Sequence, residues 1–409
     1  MPFIILIFLL LVAVFMSNVL RQVCAALVKL WNPNIGVVKD YNFQPTVSVL
    51  LPSFNEGKTV YDTVESICRS NYPNDKLEII AIDDCSVDDS WEWLQKAQKD
   101  FTNIRIRVSR NPQNSGKART ICNALALSES EITIGIDSDC IFDKDCVREL
   151  VACFINPKIG AVGGVVGVKN VNQTTATAVQ TFVYYQNFHM MKILENATQT
   201  VICISGCMFA IRRDLFVKLE PSVRERTWCG IEVNDGEDRF LTHQVLLHGY
   251  GTLINTAAQC WTTVPDTIPK LFKQQIRWQR SGVRDFFFTL GSLKEHVWKL
   301  HPNALYCMIL PTLAVMASIA VMVLAPWHET PFWVTPYFLL LNIATAAIFN
   351  FFVKKYHPEQ KVDHPILLAT FAAWLIAGRL IEILAMFTLD SQDWGTRNKK
   401  KLTTGETHA

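Results

Sequence analysis

Charge is scarce in this chain of 409 residues: 19% are Asp, Glu, Lys or Arg, against ~25% in an ordinary soluble protein. Neither sign prevails. With 39 basic and 37 acidic side chains the formal net charge is +2, so there is no broad basic field for wrapping nucleic acid. A Gly-periodic or heptad repeat is also missing, which excludes a fibrous chain, and the 50% apolar content excludes a disordered one. The 12 cysteines contain no CxxC pair. They read as reduced, mostly buried thiols of a cytosol-facing protein, not as a disulfide framework or a zinc site. Lys and Arg are absent ahead of the first apolar run, residues 3–20, and appear only behind it, as Arg21 and Lys29. A cleaved signal peptide has the opposite layout. The spacing therefore predicts an uncleaved anchor, residues 1–22, followed by a cytoplasmic segment.

Three more apolar runs close the chain, at about 303–325, 332–353 and 366–389, each long enough for the ~20 helical residues of a bilayer crossing. Lys354, Lys355 and Lys361 favour a cytoplasmic loop between the second and third of these. Arg379 and Glu382, spaced i,i+3, can pair on one helix face. The run RNKKK after the last segment also prefers the cytoplasm. Three full crossings would put that tail outside, so either the last run is re-entrant or interfacial, or the charge rule fails. The chain divides accordingly into an anchor (1–22), a catalytic α/β domain (40–265), an amphipathic interfacial segment (266–300), a C-terminal membrane region (301–390) and a basic tail (391–409).

Within 40–265, β-branched runs at 46–54, 77–85, 104–111 and 131–139 alternate with helical patterns at 59–70, 88–100 and 116–128. Such alternation predicts a mostly parallel sheet covered on both faces, with ligands bound beyond the carboxyl ends of its strands. Polar clusters fall at those ends: Asn55-Glu56, Asp83-Asp84 and Asp137-Ser138-Asp139. Asp137 and Asp139 share one face of their strand; one can bind Mg²⁺ or Mn²⁺ while the other orients a hydroxyl, the alternative being a solvated acidic turn. Asp83 and Asp84 can accept from a base and a ribose, or cap the next helix, a task for which Asp88 or Asp89 is the better candidate. Lys117 opens a helix after a glycine turn, where a diphosphate would meet it, although a solvated lysine is equally compatible. Glu237 and Asp238 begin an amphipathic helix. Arg277 and Trp278 lie in a basic-aromatic segment suited to an interface, to a phosphate and to a sugar ring.

In series, PSFNE, IDDCSVDDS, NSGKA, IDSDC, SGCMFAIRR, GEDRFLT, QQIRW and WGTR resemble the processive family 2 glycosyltransferases, the group of hyaluronan, chitin and cellulose synthases. The resemblance spans residues 46–397. It implies a GT-A-like, Rossmann-like catalytic domain joined to α-helical transmembrane segments. It also assigns roles. Asp83, Asp84, Lys117, Asp137 and Arg277 would bind the nucleotide sugar, Asp139 the metal, and Asp238 would be the base. Ser205, Gly206, Cys207, Glu237, Gln274 and Trp278 would hold the acceptor, and Trp394 and Arg397 would form a gating tail. The implied activity is inverting polymerisation of UDP-sugars at the cell membrane. UDP-GlcNAc with UDP-glucuronate makes a hyaluronan synthase, UDP-GlcNAc alone a chitin or chitooligosaccharide synthase. The implied partners are the growing polysaccharide, membrane lipids and a second copy of the chain, with no nucleic acid. A non-processive transferase and a degenerate scaffold subunit are the rival readings; the second predicts loss of Asp139, Asp238 or Arg277, and all three stand.

Overall fold

The computed structural model describes residues 23–233, 235–291, 293–324, 350–356 and 367–391, with residues 17, 20, 21, 343, 344, 347, 348, 360 and 362. Eight strands form its centre: β1 (Val47–Ser53), β2 (Leu77–Asp83), β3 (Arg105–Arg110), β4 (Ile132–Ile136), β5 (Cys140–Phe142), β6 (Ile159–Val168), β7 (Met208–Arg212) and β10 (Gly251–Thr262). They make one sheet in the order β3-β2-β1-β4-β7-β6-β10-β5. A separate two-stranded ribbon joins Thr227–Trp228 (β8) to Ile231–Glu232 (β9).

The first four strands pair in parallel, with helices Thr59–Cys68, Ser90–Asp100 and Lys117–Leu127 as crossovers. Their sequence explains why. Every residue of β1 is buried, and the side chains alternate between two cores: Val47, Val49 and Leu51 enter one, Leu50 the other. In β2, Leu77, Ile79 and Ala81 enter the first core and Ile80 and Ile82 the second. Period-two chemistry that is apolar on both faces permits only a central strand. Each fully buried Leu or Ile contributes roughly 1.5–3 kcal/mol, so this alternation fixes the register.

Beyond β4 the sheet is mixed. β7 lies antiparallel between β4 and β6, β6 pairs in parallel with β10, and β5 closes the far edge antiparallel to β10. The expected parallel unit is thus confined to the first half of the sheet, and the second half is built differently. Of the two capping candidates, Asp89 occupies the N-cap of helix Ser90–Asp100 without a side-chain cap hydrogen bond, while Asp88, one residue ahead, accepts the Ser90 N–H on Oδ1 at 3.0 Å.

Helix Ile268–Gly291 runs through the basic-aromatic segment and packs on helices Pro302–Leu324 and Leu367–Met386. Among the described residues no helix is long and apolar enough to cross a membrane. Nearly all of the first apolar run, much of the run 332–353, and many side chains in the other two, that of Arg379 among them, lie outside the described residues. Trp394 and Arg397 lie outside them as well.

Candidate active site

The strand order reverses between β1 and β4. At such a switch point the two flanking loops turn to opposite faces and leave a crevice beyond the carboxyl ends. Here the crevice opens into a cavity of about 1870 Å³ lined by residues 52–56, Asp84, 114–117, 137–139, 205–207, 235–239, Gln274, Arg277 and Trp278. Its far wall draws on the C-terminal apolar runs, through Cys307, Pro311 and Glu382.

Asp83 and Asp84 diverge. Both oxygens of Asp84 are used internally: Oδ1 accepts from Ser115 N and Asn111 Nδ2 and Oδ2 from Gly116 N, each at 2.8 Å. Asp84 thereby shapes the loop that carries Gly116, held at φ +84°, into the helix opening at Lys117. Asp83 is buried beside the cavity and does not line it. Its Oδ2 meets Arg110 Nε at 2.9 Å and accepts the Ser86 N–H at 3.1 Å, while Oδ1 has no hydrogen-bond partner among the described residues.

Lys117 lies at the centre of the site. Its Nζ is 2.5 Å from Asp137 Oδ1 and 2.9 Å from Glu237 Oε1. Burial opposes its charge, yet the two carboxylates outweigh that and raise its pKa well above the ordinary lysine value. Gly206 permits the approach, because a Cβ there would stand 2.7 Å from Lys117 Nζ.

Glu237 and Asp238 share the first turn of helix Glu237–Leu247 and separate in acidity. Burial works against ionised Glu237, but Lys117 and then Arg226 prevail and hold its carboxyl below the ordinary range. Burial, and after it the neighbouring Glu237 charge, raise Asp238 above the usual 3.8 despite Lys117. The Asp238 carboxylate is aimed by two backbone donors, Gly206 N–H to Oδ2 at 2.9 Å and Arg239 N–H to Oδ1 at 2.8 Å. Each oxygen keeps a lone pair. A carboxylate raised by desolvation and held by main-chain donors is suited to receive a proton.

Asp137 and Asp139 both line the cavity, next to Asn55, Glu56 and Ser138. These hard oxygen donors fit Mg²⁺ or Mn²⁺, which bind through one or two carboxylates and leave positions for phosphate. Gln274, Arg277 and Trp278 reach the same cavity from helix Ile268–Gly291. The Gln274 Oε1 is buried with no hydrogen-bond partner among the described residues. Trp278 meets Tyr184 at 5.8 Å between ring centroids, forming a tilted aromatic wall.

Apart from Asp83, Trp394 and Arg397, all the sequence-derived candidates border one cavity. Nothing in the motifs pointed to Tyr184, nor to a charged group on the cavity's far side, where Glu195 pairs with Arg21 at 2.7 Å and Lys192 at 3.6 Å. Glu195 is the one acidic residue in the stretch 186–200, and that isolation is its only signal.

Residues 48–219 match the sequence profile of glycosyl transferase family 2. An N-acetylglucosaminyltransferase of Azorhizobium caulinodans is 29% identical over 290 residues, 70% of this chain and 72% of its own. An N-acetylglucosaminyltransferase of Rhizobium meliloti is 27% identical over 366 residues, 86% and 82% of the two chains. A hyaluronan synthase of Streptococcus pyogenes is 23% identical over 380 residues, 90% and 86%. Among solved structures, a mannosyltransferase from Pyrobaculum calidifontis in complex with GDP-Man and Mn²⁺ superposes with a TM-score of 0.60. That match is 19% identical and covers 93% of this chain and 98% of the other, a likeness of fold.

Proposed function

From a chain that is a glycosyltransferase with a family 2 domain at residues 48–219, we propose a membrane-integrated polymerase of UDP-sugars that works by inverting transfer and exports a β-linked polysaccharide. One observation carries the reading: Lys117, Asp137, Asp139, Asp238, Arg277 and Trp278, drawn from separate elements, border a single cavity. A scaffold with a degenerate site would have no reason to keep that convergence.

Asp238 takes the proton of the acceptor hydroxyl as that oxygen attacks the anomeric carbon in line. The bond from the anomeric carbon to the diphosphate oxygen breaks, and its electron pair leaves with UDP. Lys117 and Arg277 neutralise the departing charge, so a separate acid is unnecessary. Asp139, with Asp137, would hold the divalent ion, whose chemistry is to balance the charge of the diphosphate. The Trp278–Tyr184 wall supports a place for the acceptor ring.

Processive growth needs a path for a polar chain, since each desolvated hydroxyl costs kilocalories. The four apolar runs of the sequence, and a cavity whose far wall includes Pro311 and Glu382, support export at the same site.

The first reading is a hyaluronan synthase that alternates GlcNAc and glucuronate, supported by WGTR and by the 23% identical relative that covers 90% of this chain. A second reading, a chitooligosaccharide synthase using UDP-GlcNAc alone, is supported by the relatives named N-acetylglucosaminyltransferase. Purified protein with Mg²⁺ or Mn²⁺ and radiolabelled UDP-GlcNAc decides between them. Label that enters polymer only when UDP-glucuronate is added favours the first; label entering from UDP-GlcNAc alone favours the second. Absence of UDP-sugar turnover, or turnover undiminished in Asp238→Asn, would overturn the proposal.

A further inference from the structure

The spacing of the cysteines excludes a zinc framework, but folding brings two of them together at the floor of the cavity. Cys140 opens β5, three residues after Asp137. Cys207 comes just before β7, whose first residue, Met208, pairs with Ile136 at the end of β4. The antiparallel register therefore lays the turn 137–140 against Cys207, and the Asp137 N–H donates to the Cys207 carbonyl at 3.4 Å. The Cys140 thiol donates to Asp139 Oδ1 at 3.5 Å. One ligand atom from each of Asp137, Cys140 and Cys207 lies within 4.8 Å of the other two. Cys140 is fully buried, while Asp137 and Cys207 face the cavity.

We propose that Asp137, Cys140 and Cys207 form an inhibitory site for a thiophilic divalent cation, with zinc as its probe. Two sulfurs and one carboxylate oxygen supply three of the four donors that a tetrahedral ion takes, a set that suits zinc better than magnesium. On binding, the ion replaces the two thiol protons, which pass to solvent, and no oxidant is involved. It draws the Asp137 carboxylate from Lys117 and ties the acceptor loop 205–207 to β5. Zinc thus stops transfer by taking Asp137 and by sitting beside Asp139, whose Oδ1 lies 3.5 Å from Cys140 Sγ. Binding stands on the geometry alone; inhibition rests on the reading of the site given above.

The test uses the full-length protein in detergent with excess magnesium. Wild type retains about one zinc per chain after gel filtration, and with cobalt gives a thiolate-to-metal absorption band. Cys140→Ser loses both signals and keeps magnesium-supported transfer. Cys229→Ser, which alters an exposed thiol, keeps both. Zinc inhibits wild-type transfer, and Cys140→Ser weakens that inhibition by roughly tenfold or more. Cys207→Ser repeats the loss of zinc, so the site can still be tested should Cys140→Ser misfold. Zinc retention unchanged in both variants overturns the site; full transfer by the zinc-loaded protein overturns its inhibitory role. If no UDP-sugar is turned over at all, the functional reading fails while zinc retention and the cobalt band still decide whether the site exists.

Discussion

At Asp238 the fold and the reaction pull in opposite directions. Its pKa is raised by burial and by Glu237, so the folded chain favours the protonated acid. The ionised form needed for proton transfer is therefore held at neutral pH at a cost in stability, one that disappears as pH falls below the unfolded value. Turnover should fall as pH drops through a value above the ordinary carboxylate range. Asp238→Asn should abolish transfer while leaving the melting temperature at pH 7 equal to or above wild type; calorimetry beside a turnover assay checks both. Glu237→Gln removes one cause of the shift, so the acid limb of the pH–rate profile should move to lower pH. Lys117→Met should lower kcat/KM for the donor by roughly 10²-fold or more, the scale of losing a preorganised charge at a leaving group. Residue type was the usable signal here: Asp137, Asp139, Lys117 and Asp238 border one cavity, but β4 ends at Ile136, so Asp137 and Asp139 lie in the turn beyond it and not on one face of a strand. It could not separate Asp83 from Asp84. Adjacent carboxylates look alike on paper, and only the path of residues 111–116 determines that Asp84 is used by loop amides.

Among the elements, the junction of helices Glu237–Leu247 and Ile268–Gly291 decides where Asp238, the proposed base, sits. Gly236 adopts φ +75°, and a Cβ there would lie 2.0 Å from Ser281 Oγ. Gly236→Ala combines left-handed strain with overlap and should cost ~2–4 kcal/mol, read as a lowered denaturation midpoint. The same helices are joined by buried His243, whose Nδ1 lies 2.7 Å from Asp285 Oδ1. Strands β1, β2 and β4 were legible because their runs are nearly continuous and apolar, and β3 because Ile106 and Val108 alternate with polar residues. β6 was not, since four of its ten residues are glycine and the alternation disappears. Packing requires them: a Cβ on Gly164 would come within 2.1 Å of Met208, and one on Gly163 within 2.5 Å of Ile204. β7 offers only five residues, too short a run to declare itself.

For the molecule as a whole, charge and hydropathy leave open the side from which the basic tail departs. Arg284 donates to the Leu389 carbonyl at 2.8 Å and pairs with Asp235, and Arg280 donates to Thr388 Oγ1 at 3.0 Å. The chain is thus clasped at 388–391 against the helix that carries Arg277 and Trp278. A cysteine placed at Lys400 should react with an impermeant maleimide from the same face of sealed vesicles as Cys229. Protection of one while the other reacts would show that the last apolar run crosses completely. Hydropathy could delimit the runs but not this clasp, which depends on two arginines more than 100 residues away.

The antiparallel pairing of β4 with β7 has a further result. The turn 137–139, proposed to meet the leaving nucleotide, departs from one end of the ladder, and the loop 205–207, proposed to receive the sugar, enters at that same end. Because the two strands share one ladder, a change at the proposed donor turn should also be felt at the proposed acceptor loop. Efforts to redesign donor choice and acceptor choice in this enzyme will find that they are turning a single screw.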